Sequence, residues 1–283
     1  MQKFAIITNA YKDKDLKLTH ELIDYIHSKG GTAVALSEGF EDLGAYEFID
    51  FDRMPKDTEC IVVLGGDGTL IRSATKVMEY QLPLFGVNIG NLGYLCEVES
   101  ESLYKAIDKL MADEYFIEER IMIEGAKNPK EIVFGVNDIV IHRVGDLSIL
   151  RMYVYVNGEY LATYEADGII LSTPTGSTGY NLSAGGPIVN PKAQMLVMTP
   201  INAHSLNARS IVFSSQDLIE IEMGTRRYLM DEMAYVSCDG DRVETLCVGE
   251  RYAVSRSLHT IQFARLKHKS FLEILSKKMG SGN

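Results

Sequence analysis

The run Gly65-Gly66-Asp67-Gly68-Thr69 places three glycines, a carboxylate and a hydroxyl directly after the apolar segment 60–64 (Cys-Ile-Val-Val-Leu). Glycine lets the main chain approach a ligand without a Cβ in the way, and successive N–H groups there can converge on one anion. A helical pattern opens at Thr69, so these amides stand at a helix N-terminus, where the dipole favours phosphate. Gly65, Gly66, Gly68 and Thr69 are therefore a candidate phosphate loop. A carboxylate among phosphate-binding amides is misplaced unless it meets a metal or a hydroxyl, and that is the expectation for Asp67. The plainer alternative is a tight strand-to-helix turn with an acidic cap.

A second run, 167–183, starts at Asp167-Gly168 and leads through the strand-like residues 169–172. Thr173, Thr175, Ser177 and Thr178 then crowd more short donors together than a simple turn needs, and Tyr180 offers an aromatic face for a base. A Ser/Thr-capped turn before a short helix is the competing explanation. Asn88, Gly90, Asn91 and Gly93 punctuate a loop after the strand-like residues 84–87. In a doubly wound sheet the carboxyl ends of the strands line the ligand crevice, which sets this loop beside that of Asp67. Asn137-Asp138 falls inside an expected strand, 136–142. An amide next to a carboxylate can read ribose hydroxyls, although a polar pair on an edge strand explains it equally well.

The elements that must position these residues change character along the chain. Residues 4–8, 32–36, 60–64 and 84–87 read as buried strands. Helical faces lie between or after them, at Leu18, Leu22, Ile23 and Ile26, then over 69–80, then at Leu103, Ile107, Leu110 and Met111 behind a candidate cap, Ser102. Such alternation implies a parallel sheet covered by helices. From about Phe116 the period becomes two, and Asn157-Gly158 between alternating runs is a strong hairpin signal. At 260–264 the strand pattern returns, followed by an amphipathic helix through Phe271, Leu272, Ile274 and Leu275. The expected organisation is an α/β Rossmann-like domain at 1–115 plus 260–283, with a mostly antiparallel β domain at 116–259 and the tail returning to the first domain.

Composition narrows the function classes. The chain has 283 residues, 46% of them hydrophobic and 24% charged, with a formal net charge of −11. A strongly acidic chain lacks the global basic field that nucleic acids or anionic membranes require. Lys267-His268-Lys269 and Lys277-Lys278 read as solvated faces. The four cysteines are scattered and the six histidines isolated, so neither a disulfide framework nor a zinc site is expected. No apolar run approaches the roughly 20 residues that span a bilayer, and the first residues lack the flanks of a signal peptide. The expectation is a soluble, cytoplasmic protein.

Taken in order, Gly65–Thr69, 88–95, Asn137-Asp138, 167–183 and 200–206 (Pro-Ile-Asn-Ala-His-Ser-Leu) resemble the motifs of the NAD kinase family over nearly the whole chain. The Gly-Gly-Asp-Gly-Thr element is shared with lipid kinases, whereas Thr-Pro-Thr-Gly-Ser-Thr behind Asp-Gly is more specific. The resemblance implies transfer of the γ-phosphate of ATP to the adenosine 2′-hydroxyl of NAD, with Mg²⁺ or Mn²⁺ as cofactor. It implies Asp67 as the catalytic group that activates the hydroxyl, with Gly68 and Arg72 lining the same site. Asn137, Asp138, Glu165, Asp167, Thr178, Gly179, Tyr180, Asn181, Leu182 and Ser183 would bind the dinucleotide. A homodimer or homotetramer is implied as well. Departures from the family pattern are Asp138 for the usual Glu, Gly179 for Ala, Glu165 at an often basic position, and Asp241 near a usual Gln. A lipid kinase sharing the glycine loop and a non-catalytic nucleotide sensor are the alternative readings.

Overall fold

The computed structural model describes residues 1–36, 48–90, 93–145, 149–205, 208–225, 232–266 and 271–280. Asn91 and Leu206, which belong to the motifs above, and the basic run 267–269 lie outside the described residues. The chain forms two compact units, Met1–Glu119 with Ile261–Asn283, and Arg120–Thr260.

The first unit is built on β1 (Lys3–Thr8), β2 (Thr32–Leu36), β3 (Phe48–Ile49), β4 (Cys60–Gly65) and β5 (Leu84–Asn88), with a short β6 (Val98–Glu99). They pair in the order β5-β4-β1-β2-β3, all parallel. Every residue of β4 is buried, which is why it reads as an unbroken apolar run: parallel strands are covered on both faces. Helices α1 (Lys17–Ser28), α2 (Asp67–Val77) and α3 (Leu103–Met111) follow β1, β4 and β6. Leu22, Ile23 and Ile26 of α1 and Leu103, Ile107 and Leu110 of α3 share one core with Phe4, Ile6, Val62 and Leu64.

Two local elements differ from the sequence expectation. The helix expected over 69–80 begins at Asp67 and ends at Val77, its last turn tightening to a 3₁₀ helix over Met78–Tyr80. Ser102 stands at the N-cap of α3 but makes no side-chain cap bond. A 3₁₀ turn, Ser100–Ser102, leads into that helix instead.

Beyond α3 the chain is almost entirely antiparallel. In order come β7 (Phe116–Ala126), β8 (Val133–Gly135), β9 (Asp138–Arg143), β10 (Leu150–Val156), β11 (Glu159–Ala166) and β12 (Gly168–Ser172). A single-turn helix α4 (Tyr180–Ser183) precedes β13 (Met195–Ile201), β14 (Ile211–Ser214), β15 (Ile219–Gly224), β16 (Met233–Cys238), β17 (Asp241–Cys247) and β18 (Arg251–Arg265), and α5 (Phe271–Gly280) ends the run. One sheet runs β14-β13-β12-β9-β16-β17, and β11-β10-β15-β18 pair in another. Ile141, Ile169 and Leu171 of the first pack with Met152, Val154, Ile221 and Met223 of the second. Asn157 and Gly158 take φ of 52° and 83°, the primed turn that the Asn-Gly signal foretold.

The strand expected at 260–264 is the end of the much longer β18. That end pairs with the first unit's sheet in parallel, Phe263 opposite Leu84, and Ala264 enters its core. Arg265, 8% exposed, is held by Glu97 at 3.3 Å and Glu118 at 3.1 Å, and donates to the Leu95 carbonyl at 2.7 Å.

Candidate functional site

In the first unit, β4 delivers the Gly65–Thr69 turn to the carboxyl edge of the sheet, and Asp67 becomes the first residue of α2 behind an N-cap at Gly66. The Asp67 carboxylate does not cap its own helix. It turns to the neighbouring loop and accepts the N–H groups of Tyr94, Leu95 (3.0 Å) and Cys96 (3.2 Å). The close approach depends on Gly93, where a Cβ would lie 2.0 Å from an Asp67 oxygen. The acidic-cap alternative is thereby replaced by a tether between two loops. Burial, aided by the Asp67 charge, pushes the Cys96 thiol up to about 12, so that cysteine stays protonated and unreactive.

Three further groups meet at this turn. Asn9, just after β1, donates to the Thr69 hydroxyl at 3.1 Å. The Lys12 ammonium lies 3.0 Å from where a Cβ on Gly66 would stand, and 3.6 Å from the equivalent point on Gly90. Asn88 is 1% exposed; its Nδ2 holds the Gly90 carbonyl at 2.9 Å, while its Oδ1 has no hydrogen-bond partner. Arg72, one turn beyond Gly68 on α2, is exposed. Lys12 was not among the residues the motifs pointed to. Its signal is positional, because it follows the carboxyl end of a parallel strand, as Asp67 does.

In the second unit a cleft of about 620 Å³ is lined by Asn137, Asp138, Asp167, Tyr180 and Asp239 among others, within the span of small-molecule sites. The expected strand 136–142 is broken. β8 stops at Gly135 and β9 starts at Asp138, leaving Asn137 at the bend between them. β9 lies between β12 and β16, so Asn137-Asp138 is not an edge pair and the bland reading of it fails. Asp138 is 6% exposed. Burial, and then the nearby Asp239 charge, push its carboxyl up to about 7. Asp167 is fixed by Arg143 at 3.3 Å and by the Asn202 amide at 3.0 Å. Asp239, like Lys12, was not among the residues the motifs pointed to, although Asp239-Gly240 between alternating runs is itself a hairpin signal.

The hydroxyl-rich run divides by role. Thr173 donates to the Val136 carbonyl at 2.6 Å, and Ser177 to Pro174 at 2.7 Å. Gly176 crosses so close to Asn137 that a Cβ would stand 2.3 Å from its carbonyl oxygen. These residues build the wall behind Asn137. Asn181, one of the expected dinucleotide contacts, is fully buried, and its amide is spent on Ser177, Pro187 and Thr199. Its side chain therefore braces the turn. Gly179, Leu182 and Ser183 are exposed and Thr178 half-buried, and none of the four lines the cleft. Glu165 lies away from the cleft walls as well, its carboxylate 3.6 Å from Arg151.

Comparison with known proteins adds to this geometry. Residues 4–115 match the family model of the ATP-NAD kinase N-terminal domain, and residues 136–266 that of the ATP-NAD kinase C-terminal domain. A protein of Agathobacter rectalis named NAD kinase is 54% identical over 282 residues, 99% of each chain. One of Lachnoclostridium phytofermentans, also named NAD kinase, is 41% identical across 99% of each. Among solved structures, yeast NADH kinase complexed with NADH superposes with a TM-score of 0.82 at 24% identity, covering 99% of this chain and 88% of that one. An Archaeoglobus fulgidus NAD kinase in complex with ATP gives 0.78 at 22% identity, over 99% and 100%. At those identities the two structures speak for the fold.

Proposed function

This chain belongs to the NAD kinase family, and we propose that it transfers the γ-phosphoryl group of ATP to the 2′-hydroxyl of the adenosine ribose of NAD, giving NADP. The observation that carries the reading is the 54% identity to a named NAD kinase across 99% of both chains, which leaves the lipid-kinase alternative without support. In phosphoryl transfer through a loose transition state, a protein contributes mainly alignment and charge neutralisation. The residues above suit that division of labour.

Asp67 is the proposed catalytic group. A carboxylate has about four acceptor sites, and Tyr94, Leu95 and Cys96 occupy three of them. Those bonds hold the carboxylate in one orientation, as orienting a hydroxyl requires. Gly65, Gly66, Gly68 and Thr69 offer amides to phosphate at the start of α2, and Lys12 adds a cation that the net charge of −11 makes necessary. Asn137, Asp138, Glu165, Asp167 and the run Thr178 to Ser183, with Gly68 and Arg72, remain the proposed NAD contacts. Asn181, fully buried with its amide already used, would act by bracing the turn that carries its neighbours.

Among the described residues no group of three or more His, Cys, Asp and Glu stands ready to hold a metal. The donors at the glycine turn are the Asp67 carboxylate and the unpartnered Asn88 Oδ1. Hard oxygens in that number fit Mg²⁺ or Mn²⁺ that arrives on the triphosphate and keeps several waters. Such an ion, held by Asp67 or Asn88, would neutralise charge on the transferring phosphoryl group.

A homodimer or homotetramer in the cytoplasm completes the proposal, and no helix among the described residues is long and apolar enough to cross a membrane. The decisive experiment incubates the protein with NAD, ATP and Mg²⁺ and detects product with an NADP-specific dehydrogenase. NADP formation dependent on all three is the expected result. Folded protein that binds NAD without turnover would leave the sensor reading in its place.

A further inference from the structure

Asp239 and Gly240 form the two-residue turn joining β16 to β17, with φ of 49° and 93°. The turn type tolerates Asp but does not call for it, because Asn-Gly or Gly-Gly closes the same hairpin. The carboxylate is aimed elsewhere, at the bend between β8 and β9. It accepts the N–H groups of Val136 at 2.7 Å, Asn137 at 2.8 Å and Asp138 at 3.1 Å. The Asp239 N–H in turn donates to the Asp138 carbonyl at 3.0 Å.

From the other side, the Thr173 N–H donates to the Asn137 carbonyl at 2.8 Å and its hydroxyl to the Val136 carbonyl at 2.6 Å. The main chain of Asn137 is thus gripped on both its donor and its acceptor edges. One carboxylate serves three successive N–H groups at the bend. Left unpaired, each of them would carry an uncompensated desolvation cost.

The same carboxylate stands beside Asp138. Burial, and then the Asp239 charge, keep a proton on Asp138 up to about pH 7. Among the described residues, the other ionisable or charged groups around the pair are His142 and Arg143 on β9, Asp167 before β12, the buried Cys238 thiol at the end of β16 and Asp241 at the start of β17. Arg143 is paired with Asp167 at 3.3 Å. His142 is bonded to the Ser237 hydroxyl at 3.1 Å. Burial raises the Asp239 carboxyl as well, and the three N–H groups it accepts oppose that shift; with Asp167 and Asp239 charged, ionisation of Asp138 adds a third negative charge, which disfavours a ligand with a pyrophosphate.

We propose that Asp239 is the positioning residue of this cleft: its carboxylate fixes the Asn137–Asp138 main chain and sets the charge with which that pair meets the dinucleotide. The inference rests on the reading that Asn137 and Asp138 contact NAD. Its test measures NAD affinity by calorimetry between pH 6 and 8.5, together with KM values and melting temperature, for the wild type, Asp239→Asn, Asp138→Asn and Asn137→Ala.

Asn keeps one acceptor and the left-handed backbone preference, so Asp239→Asn is expected to fold. KM for NAD should rise about 2- to 13-fold, the range of one lost hydrogen bond, with KM for ATP unchanged. Wild-type NAD affinity should fall as pH rises through about 7, and in Asp239→Asn this fall should move to lower pH because the repelling charge is gone. Asp138→Asn should make affinity flat with pH, a result that does not depend on the hairpin folding. A folded Asp239→Asn protein with the wild-type pH profile and KM, or a pH-dependent Asp138→Asn protein, overturns the inference. If Asn137→Ala and Asp138→Asn both leave NAD affinity untouched at every pH, the assignment of the cleft to NAD has failed, and the inference falls with it.

Discussion

Asp67 and Leu95 are joined by a hydrogen bond of 3.0 Å, carboxylate to main-chain N–H, across 28 residues of sequence. The bond ties the loop after β5 to the first turn of α2, and it gives the proposed catalytic carboxylate a fixed direction. One side chain thus serves both the architecture of the turn and its chemistry, and substitutions there must be read on two scales.

Asp67→Asn separates the two. If the carboxylate orients and deprotonates the 2′-hydroxyl, kcat should fall by about 10²–10⁴-fold, the usual span for a general base. NAD affinity should change far less. Because the new NH₂ would face at least one of the N–H groups of Tyr94, Leu95 and Cys96, melting temperature should fall as well. Near-normal turnover in the folded variant would remove Asp67 from the mechanism.

Gly93→Ala tests the same contact from the other side. The added Cβ would lie 2.0 Å from an Asp67 oxygen, so either the loop or the carboxylate must move. Overpacking of this kind costs about 1–3 kcal/mol, and kcat should fall with KM for NAD little changed. Wild-type kcat and melting temperature would show that the Asp67 tether is dispensable.

Lys12→Ala should raise KM for ATP by about tenfold, the low end for a lost bond to a charged group because Lys12 is exposed. Stability should hardly change. A rise in KM for NAD alone would place the ammonium on the acceptor instead.

Asp138 makes stability depend on pH in an unusual direction. Its folded-state pKa is raised, from the ordinary aspartate value to about 7. The folded protein therefore binds a proton that the unfolded chain has released, and stability falls as pH rises from about 4 towards 7. Above that range this group adds no further slope. Urea midpoints at intervals across it should decline for the wild type and stay flatter for Asp138→Asn; parallel curves would assign the dependence to other groups.

Local pattern was sufficient for the parts of this molecule in which one segment satisfies itself. The apolar run of β4 followed by Gly65–Thr69, and the Asn157-Gly158 turn, are visible because burial on both faces and positive φ constrain residue type directly. The switch from helical to two-residue periodicity near Phe116 separates the parallel from the antiparallel architecture for the same reason. Partners remote in sequence leave no such trace. Nothing near Asp239 signals that its carboxylate will meet Val136, 103 residues earlier, or that Asn181 will spend its amide inside the wall. Lys12 and Gly66 likewise come together because β1 and β4 are neighbours in the sheet. Chemistry that resides in residue type was legible in the sequence; the direction each side chain faces, and the charge it meets there, arose from packing between segments that only the folded chain brings together.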